Sequence, residues 1–339
     1  MTVFKDLPGP VIELLQSTKT AEFSTVSSAG VPIDTPMFFF PSEGMRSLDV
    51  GTGLAYPVKA ERARGNSKTG LLVEGAADEP VIAVAGLAAV HDSDLQSNTE
   101  RYIAETAFAR VGNAPWPLAR KAVWYWTRII VSITPVRILW WDGPAAMDNV
   151  PHRWYAPADT ICPKSDLAPA GRLSAAPKWS ERSWRELARQ ALDRKAPGHL
   201  TLCDEEGFPL PFRVREIELL EDGFRLEVPK GAPWRCTGKA TLTFEGRETF
   251  VGNVTADGDM TFLRVERPLP THPIMDDPDS LWNPHPEVYE AFMARLKHET
   301  ARRGQPIPTI PEVEPEPSAG AKARIARASG SSVPRVATD

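Results

Sequence analysis

Residues 50–68, VGTGLAYPVKAERARGNSK, hold the side chains whose types and spacing best suit chemistry. A turn at Thr52 and Gly53 ends a predicted strand, and a short predicted helix follows it. The turn offers backbone N–H groups and a hydroxyl, while Lys59 and Arg62, three residues apart, share one face of the helix. Because a helix N-terminus and flanking cations both favour anions, the segment is a candidate phosphate site.

A plainer interpretation of the same stretch is a solvated basic helix, in which Glu61 offsets part of the positive charge. The spacing matches neither common nucleotide-binding loop, because one needs Gly-x4-Gly-Lys-Ser/Thr and the other needs GxGxxG. The residues by themselves therefore leave both interpretations open.

Reactive side chains elsewhere in the chain form no recognisable site. The cysteines Cys162, Cys203 and Cys236 are scattered and odd in number, which argues against a disulfide framework or a CxxC metal site. The six histidines show no pair at metal-ligand spacing, and no nucleophile motif is present. The sequence therefore predicts no metal site and identifies no catalytic residue.

Length and composition bound the class of protein. The chain has 339 residues, 42% hydrophobic and 24% charged, which suits two domains with a sizeable core. A net charge of −5 argues against nucleic acid as the main partner. No apolar run approaches the ~18–20 residues of a membrane span, and the N-terminus lacks a signal-peptide pattern. We therefore expect a cytoplasmic protein with neither nucleic-acid nor membrane partners.

Short alternating segments punctuated by Gly and Pro predict a mainly β, antiparallel protein. Pro makes up 33 of the 339 residues, which favours many short elements over a helix bundle. The longest segment, Arg128–Trp141, is almost wholly apolar and should cross the centre of the sheet, bent at Pro135. Further strands are predicted over residues 22–27, 33–40, 46–50, 68–75 and 81–91, and in a second strand-rich block over residues 199–267.

The pattern divides the chain into four parts. We expect a first strand-rich domain over residues 1–142, a linker and amphipathic helix over 143–195, a second strand-rich domain with a C-terminal helix over 196–304, and a tail over 305–339. The tail is predicted to be disordered, because its Pro-Glu repeats and its Ala, Ser, Gly and Arg residues offer little apolar surface to bury.

The second block of strands echoes the first. Ser28–Pro32 and Glu205–Pro209 each place a Gly two residues before a Pro, between two strands, and Gly86–Val90 resembles Gly238–Leu242 in the same way. These landmarks lie closer together in the second copy, so we expect it to lack the third strand and the basic helix, and to pack against the first copy. Two short matches also fit two unrelated β domains, and the sequence leaves that alternative open.

Residues 20–142 resemble the flavin split-barrel superfamily typified by pyridoxamine 5'-phosphate oxidase. In that family a strand ending in Thr leads to a short helix that bears a phosphate-binding Lys, and an Asn-containing turn follows. Thr52, Lys59 and Asn66 reproduce this order, with seven residues from Lys to Asn. The opening hairpin, Glu22–Phe40, and the late strand with an internal Pro fit the family as well.

The resemblance implies tandem split β-barrels, antiparallel with helices at the rim and with the second copy reduced, and a flavin bound on the first. The second strand reads Ile33–Phe38 without the Arg that the oxidase carries there, which points to a divergent relative rather than to vitamin B6 chemistry. The residues to which the resemblance assigns cofactor binding are Thr35, Met37, Thr52, Gly53, Lys59 and Arg62.

The function that the resemblance implies is that of an FMN-dependent oxidoreductase, in which bound FMN passes hydride to or from a small organic substrate. Relatives of this kind also bind a deazaflavin or haem, so the alternative is a non-catalytic flavin-, deazaflavin- or haem-binding protein. Such families place the flavin at a dimer interface. The resemblance therefore implies either a homodimer or a tandem chain whose second barrel replaces the partner.

Overall fold

The computed structural model describes residues 4, 6–110, 112, 114–175, 182–258, 260–270 and 278–328 of the chain. Its strands, in chain order, are β1 (Thr20–Val26), β2 (Pro32–Pro41), β3 (Leu48–Gly53), β4 (Lys68–Glu74), β5 (Val81–His91), β6 (Arg128–Trp141), β7 (His152–Tyr155), β8 (Gly198–Cys203), β9 (Pro209–Arg213), β10 (Glu216–Leu219), β11 (Gly223–Glu227), β12 (Gly238–Phe244), β13 (Glu248–Asp257) and β14 (Met260–Pro268). Its α-helices are α1 (Gly9–Ser17), α2 (Val58–Gly65), α3 (Leu95–Thr106), α4 (Trp116–Ala119), α5 (Val123–Trp126), α6 (Trp184–Asp193), α7 (Pro286–Arg302) and α8 (Ala319–Ala328).

The first seven strands form one antiparallel sheet that closes on itself. They follow the order β3-β2-β1-β4-β5-β6-β7, and β3 also pairs with β6, from Leu48 opposite Ile133 to Gly53 opposite Arg128. This second pairing of β3 closes a six-stranded barrel, and β7 extends the sheet beyond β6. The closed barrel confirms the mainly β, split-barrel fold that the resemblance implied.

Strand β5 lies between two apolar cores, because its sequence VIAVAGLAAVH is apolar on both faces. Ile82 and Val84 belong to the core of the first barrel, whereas Val81 and Ala83 belong to a core shared with the second sheet. The bend predicted in β6 occurs where Pro135 pairs with Gly86, and the register shifts just before this pair. The long apolar strand thus keeps its place in the sheet despite its internal Pro.

The remaining strands form an open, curled sheet, which is the second and reduced barrel. Its order is β10-β11-β14-β13-β12-β8-β9. Gly30 and Gly207 both adopt positive φ in turns with the same backbone hydrogen bonds, and β12 pairs with β8 as β4 pairs with β1. The repeat therefore extends beyond the two short sequence matches to the pairing of the strands.

The topology corrects two details of the predicted repeat. The segment that begins at Gly238 takes the place of β4 rather than of β5, because it pairs with β8. Strand β11 pairs with β14 as β3 pairs with β6, so the second copy retains its third strand. What the second copy lacks is the basic helix, since residues 228–237 form a loop. The predicted match depended on one Gly at the start of an apolar segment. Because β4 and β5 are both apolar and both contain a Gly, this pattern could not show which of them corresponds to the segment at Gly238.

The second sheet docks on the first barrel through an apolar core, as the repeat predicted. Strands β9 and β12 lie against β1, β2 and β4. Leu72 and Leu139 of the first barrel are buried together with Leu200, Phe212 and Leu242 of the second. The two sheets therefore share side-chain packing and are not joined by the linker alone.

Residues 305–328 pack on the first barrel, in contrast to the disordered tail predicted from residue 305. Ile310 is buried, and Trp116 Nε1 donates a hydrogen bond to the carbonyl of Pro311 at 3.1 Å. Helix α8 lies against α1 and α3, with Ala321 and Arg324 buried. Composition did not reveal this packing, because most of it depends on backbone carbonyls and single side chains rather than on an apolar run. Residues 329–339 lie outside the described residues.

Helix α7, which the sequence groups with the second domain, packs on the first barrel through Phe292 and Leu296. The predicted linker contains β7 and then a coil as far as residue 175, while residues 176–181 lie outside the described part of the chain. Within the described residues, the structure holds no helix with the length and apolar character that a membrane crossing requires.

Candidate phosphate-binding site

The first barrel opens between β2 and β3, where the sequence predicts a cofactor site. Pairing between these two strands stops at Phe39 and Val50. Continued pairing would set Met37 opposite Thr52, so these two residues flank the point at which the strands separate. Strand β3 remains paired with β6 as far as Gly53, which holds the end of the strand in place.

The end of β3 presents an unused hydroxyl. Thr52 is buried, and its Oγ1 has no hydrogen-bond partner among the described residues. Because a buried hydroxyl without a partner is costly, such an atom indicates a place for a ligand or a water molecule. Gly53 lies opposite Arg128, and a Cβ at residue 53 would come within 3.3 Å of Arg128 Nη1. The Gly therefore lets the guanidinium approach the turn.

Helix α2 follows this turn and carries the predicted cations. Ala60 and Ala63 are buried and fix the face of the helix that packs on the barrel. Pro57 precedes the first turn, and no side chain caps it. The N–H groups of a first helical turn have no partner within the helix, so they are available to an anion.

Lys59 and Arg62 have no countercharge in the described part of the chain. Lys59 makes no hydrogen bond or ion pair there, and Arg62 Nε donates only to the carbonyl of Val58, at 3.3 Å, while its buried Nη1 has no partner. Burial, and then the charges of Arg62 and Arg128, lower the pKa of Lys59 to about 8. Burial lowers the pKa of Arg62 to about 10. Both shifts indicate positive charge held partly out of water without an anion.

The third cation of α2, Arg64, is neutralised. Its Nη2 donates to Asp92 Oδ2 at 2.8 Å, and its Nε lies 3.4 Å from Glu61 Oε2. Arg303, which follows α7, contacts the same two acids, at 2.9 Å and 3.3 Å. The acids beside α2 are therefore already paired, which leaves Lys59 and Arg62 unmatched.

Arg128 belongs to the site, and the sequence analysis missed it. It is 7% exposed, and its guanidinium lies between the rings of Tyr102 and Tyr125, 4.2 Å and 4.4 Å from their centroids. Its Nη1 donates to the carbonyl of Gly51 at 3.4 Å, its Nε has no partner, and no carboxylate of the described residues pairs with it. The only signal in the sequence was an Arg at the start of an apolar strand, because its neighbours on β3 and α2 are distant in the chain.

Thr35 and Met37 lie on β2, the other strand of the opening. Thr35 Oγ1 donates to the carbonyl of Asp34 at 2.8 Å, and Met37 packs on the core of the first barrel. Pro36, between them, lies against Gly246 in the turn that follows β12 of the second barrel. The structure thus brings the predicted residues of β3 and α2 together, whereas those of β2 make no hydrogen bond to them in the described part of the chain.

Helix α7 covers the segment between β3 and α2. Phe292 stacks on Trp124, with ring centroids 4.1 Å apart, and meets the ring of Tyr56 edge-on. Arg295 Nε donates to the carbonyl of Ala55 at 2.6 Å, and its guanidinium lies 4.9 Å from the centroid of Tyr56. These contacts fix the turn and keep water from one side of it.

Comparison with known proteins finds similarity to solved structures. No protein-family model matches the chain, and no curated protein matches it significantly. One similar structure is General Stress Protein 26 from Bacillus anthracis, with 21% identity, 43% of this chain and 95% of that chain covered, and a TM-score of 0.30.

Two further similar structures carry related names. A putative pyridoxamine 5'-phosphate oxidase from Listeria innocua shows 19% identity over 38% of this chain and 92% of that chain, with a TM-score of 0.29. A pyridoxamine 5'-phosphate oxidase-related, FMN binding protein from Nostoc punctiforme shows 13% identity over 40% of this chain and 84% of that chain, with a TM-score of 0.31. The likeness covers less than half of this chain, and at these identities and TM-scores it assigns no activity to it.

Proposed function

We propose that the first barrel binds the phosphate of a flavin nucleotide, FMN or a deazaflavin, and that the protein is a flavin-dependent oxidoreductase. The observation that carries the proposal is the cluster of Lys59, Arg62 and Arg128, three cations without a carboxylate partner among the described residues. Positive charges held together in a partly dry place repel one another, and an anion that joins them removes that cost. A phosphate dianion would neutralise most of the charge.

The residues of the cluster suit different parts of such an anion. Lys59 supplies a compact charge, and Arg62 supplies a planar donor whose Nη1 is unused. Thr52 Oγ1 and the first-turn N–H groups of α2 add uncharged donors at a helix N-terminus, where the helix dipole also favours an anion. Arg128 is held between two Tyr rings, so it contributes positive potential at a fixed position.

The opening between β2 and β3 offers a place for the flavin ring beside the phosphate. Thr35 and Met37 lie along one strand of this opening, and the turn at Gly246 places the second barrel against the same strand. On the other side, Phe292 covers the segment before α2. A bound flavin would supply hydride transfer, while these residues bind and orient it and exclude water.

Titration of the apo full-length protein with FMN, followed by flavin fluorescence, tests the proposal. Lys59→Met keeps most of the apolar stem and removes the charge, so FMN affinity should fall roughly 10- to 100-fold, the scale of one charge-assisted hydrogen bond. Lys121→Met, which removes an exposed Lys of the same barrel, should leave the affinity unchanged.

Riboflavin separates the phosphate from the ring system in the same experiment. It lacks the phosphate, so wild type and Lys59→Met should bind it equally and weakly. Equal FMN affinity of the two proteins would remove the support for the site. A haem Soret band in the purified protein, in place of flavin bands, would overturn the choice of cofactor.

A further inference from the structure

The first turn and the strand pair β1–β4 of the first barrel are equivalent, residue by residue, to the first turn and the strand pair β8–β12 of the second. Ser24 lies opposite Gly70 where β1 pairs with β4, and Thr201 lies opposite Thr241 where β8 pairs with β12. These registers, together with the matching turns after β1 and β8, also make Glu22 equivalent to His199 and Lys68 equivalent to Lys239.

One pair of contacts between the barrels is reciprocal and uses equivalent residues. Lys68 Nζ of the first barrel donates to the carbonyl of Glu206, in the first turn of the second barrel, at 2.5 Å. Lys239 Nζ of the second barrel donates to the carbonyl of Ala29, in the first turn of the first barrel, also at 2.5 Å. Each barrel thus contacts the first turn of the other through an equivalent Lys.

Two further contacts lie closer to the middle of the interface and use equivalent acceptors with different donors. Ser24 Oγ, on β1, donates to the carbonyl of Pro209 at 2.5 Å, and Thr241 Oγ1, on the strand paired with β8, donates to the carbonyl of Pro32 at 3.0 Å. Pro32 and Pro209 occupy the same place, at the start of β2 and of β9. Reciprocal contacts and equivalent acceptors of this kind are typical of twofold-symmetric interfaces, so the two barrels are related as an internal pseudo-dimer.

Symmetry breaks at the equivalent residues Glu22 and His199, which face each other. His199 Nδ1 lies 3.6 Å from Glu22 Oε1, and His199 Nε2 lies 3.0 Å from Glu74 Oε2. Asp34 is buried beside them and accepts a hydrogen bond from Thr243 Oγ1 at 2.8 Å. The imidazole therefore makes a hydrogen bond with Glu74 and lies beside the carboxyl groups of Glu22 and Asp34, all three of which belong to the first barrel.

We propose that the unlike pair Glu22–His199 makes the first barrel select the second barrel of its own chain instead of a second copy of itself. In a dimer of two first barrels, Glu22 would face another Glu22, and the carboxyl groups of both copies would gather in one buried place with no imidazole between them. Buried carboxyl groups left without a hydrogen-bond partner are costly whether or not they are ionised, and this cost disfavours the wrong partner. The inference concerns the assembly of the chain and is independent of the flavin.

Exchange of the two side chains in the full-length protein tests the role of the pair. His199→Glu recreates the like pair, so amides of β8 and β12 should exchange hydrogen at least 10-fold faster than in wild type. The double variant E22H/H199E restores an unlike pair and should recover most of the protection, which His199→Glu alone and Glu22→His alone both lose. Additive losses in the double variant would overturn the proposal.

Cross-linking tests the choice of partner without disturbing the buried cluster. Ala29 and Lys239 are exposed and adjacent across the interface, so the double variant A29C/K239C should fold. A short bis-maleimide should join the two Cys residues within one chain, giving a product of single-chain mass that wild type, with its own three Cys, does not form. Products of double mass linked through these positions would show that the second barrel docks on another copy, and would overturn the proposal.

Discussion

At the scale of single residues, Lys59 is placed where its charge costs stability in the absence of an anion. Its pKa is lowered to about 8, whereas the unfolded chain keeps that proton up to ~10.4. The unfolded state therefore binds more protons between these values, and the stability of the ligand-free protein should rise with pH across that window. At pH 7, Lys59→Met should increase the free energy of unfolding by about 1–2 kcal/mol, since half-burial reduces the full effect.

Urea denaturation of the ligand-free proteins at pH 7 measures this gain. Lys121→Met is the matched control and should leave the midpoint unchanged, because its side chain is exposed. If Lys59 serves to bind a ligand, its removal should stabilise the ligand-free fold and weaken FMN binding at the same time. A loss of stability in Lys59→Met would contradict the account of an unneutralised cation.

Glu22 should have the opposite effect on the pH dependence of stability. Burial, together with Asp34 beside it, raises the pKa of Glu22 to about 8 against the opposing effect of His199. The folded protein thus keeps a proton that the unfolded chain releases near pH ~4.3, so this group's contribution to stability is lost as pH rises toward 8. Glu22→Gln keeps the shape without the titration, and its stability should depend less steeply on pH between 5 and 8, on the scale of about 1 kcal/mol per pH unit.

Urea midpoints measured at several pH values between 5 and 8 test this prediction. The exposed Glu312 offers a control, because Glu312→Gln should leave the slope as it is in wild type. Identical slopes for wild type and Glu22→Gln would show that Glu22 carries no proton in the folded state at neutral pH.

At the scale of elements, the segment after α7 is part of the first barrel rather than an appendage. Ile310 is 5% exposed, whereas Val313, three residues later, is 80% exposed. Ile310→Ala should therefore lower the free energy of unfolding by about 2–4 kcal/mol, the range for a truncated buried aliphatic side chain. Val313→Ala should change it by less than ~0.5 kcal/mol. Thermal or urea unfolding of the two variants decides between a docked and a loose segment, because equal effects would indicate that Ile310 is not buried.

Sequence reasoning succeeded where an element has its own pattern and failed where the structure depends on distant partners. The strand Arg128–Trp141 was predicted with its observed bounds, because apolar residues run through it. Helix α2 was predicted because Pro57 and Gly65 limit a short stretch of good helix formers. The place of Arg128 in the site was not predicted, because only the pairing of β3 with β6 brings this residue to Gly53. The docking of residues 305–328 likewise depends on α3 and α4, which the local composition does not show.

At the scale of the whole molecule, two equivalent barrels share the chain, yet the features of the proposed site occur in one of them. The loop that replaces α2 in the second barrel, residues 228–237, offers no helix N-terminus. Its Arg235 lies 2.7 Å from Glu205, so that cation already has a counterion. The two barrels therefore share the strands that make the interface, whereas among the described residues the cation cluster lies in the first barrel.

This asymmetry predicts a stoichiometry of one flavin per chain. A phosphate needs several converging donors, and in the described residues the first barrel gathers them at Lys59, Arg62, Arg128 and Thr52, whereas the second has no equivalent cluster. Titration of a known concentration of apo protein with FMN, well above the dissociation constant, should reach its end point at one equivalent. Lys59→Met should replace the sharp end point with a gradual curve, since its affinity is expected to be lower, while Lys230→Met, in the loop of the second barrel, should leave a sharp end point at one. Two equivalents in wild type would show a site in the second barrel and would contradict the assignment of the flavin to the first, since the duplicated strands would then bind a flavin without the basic helix.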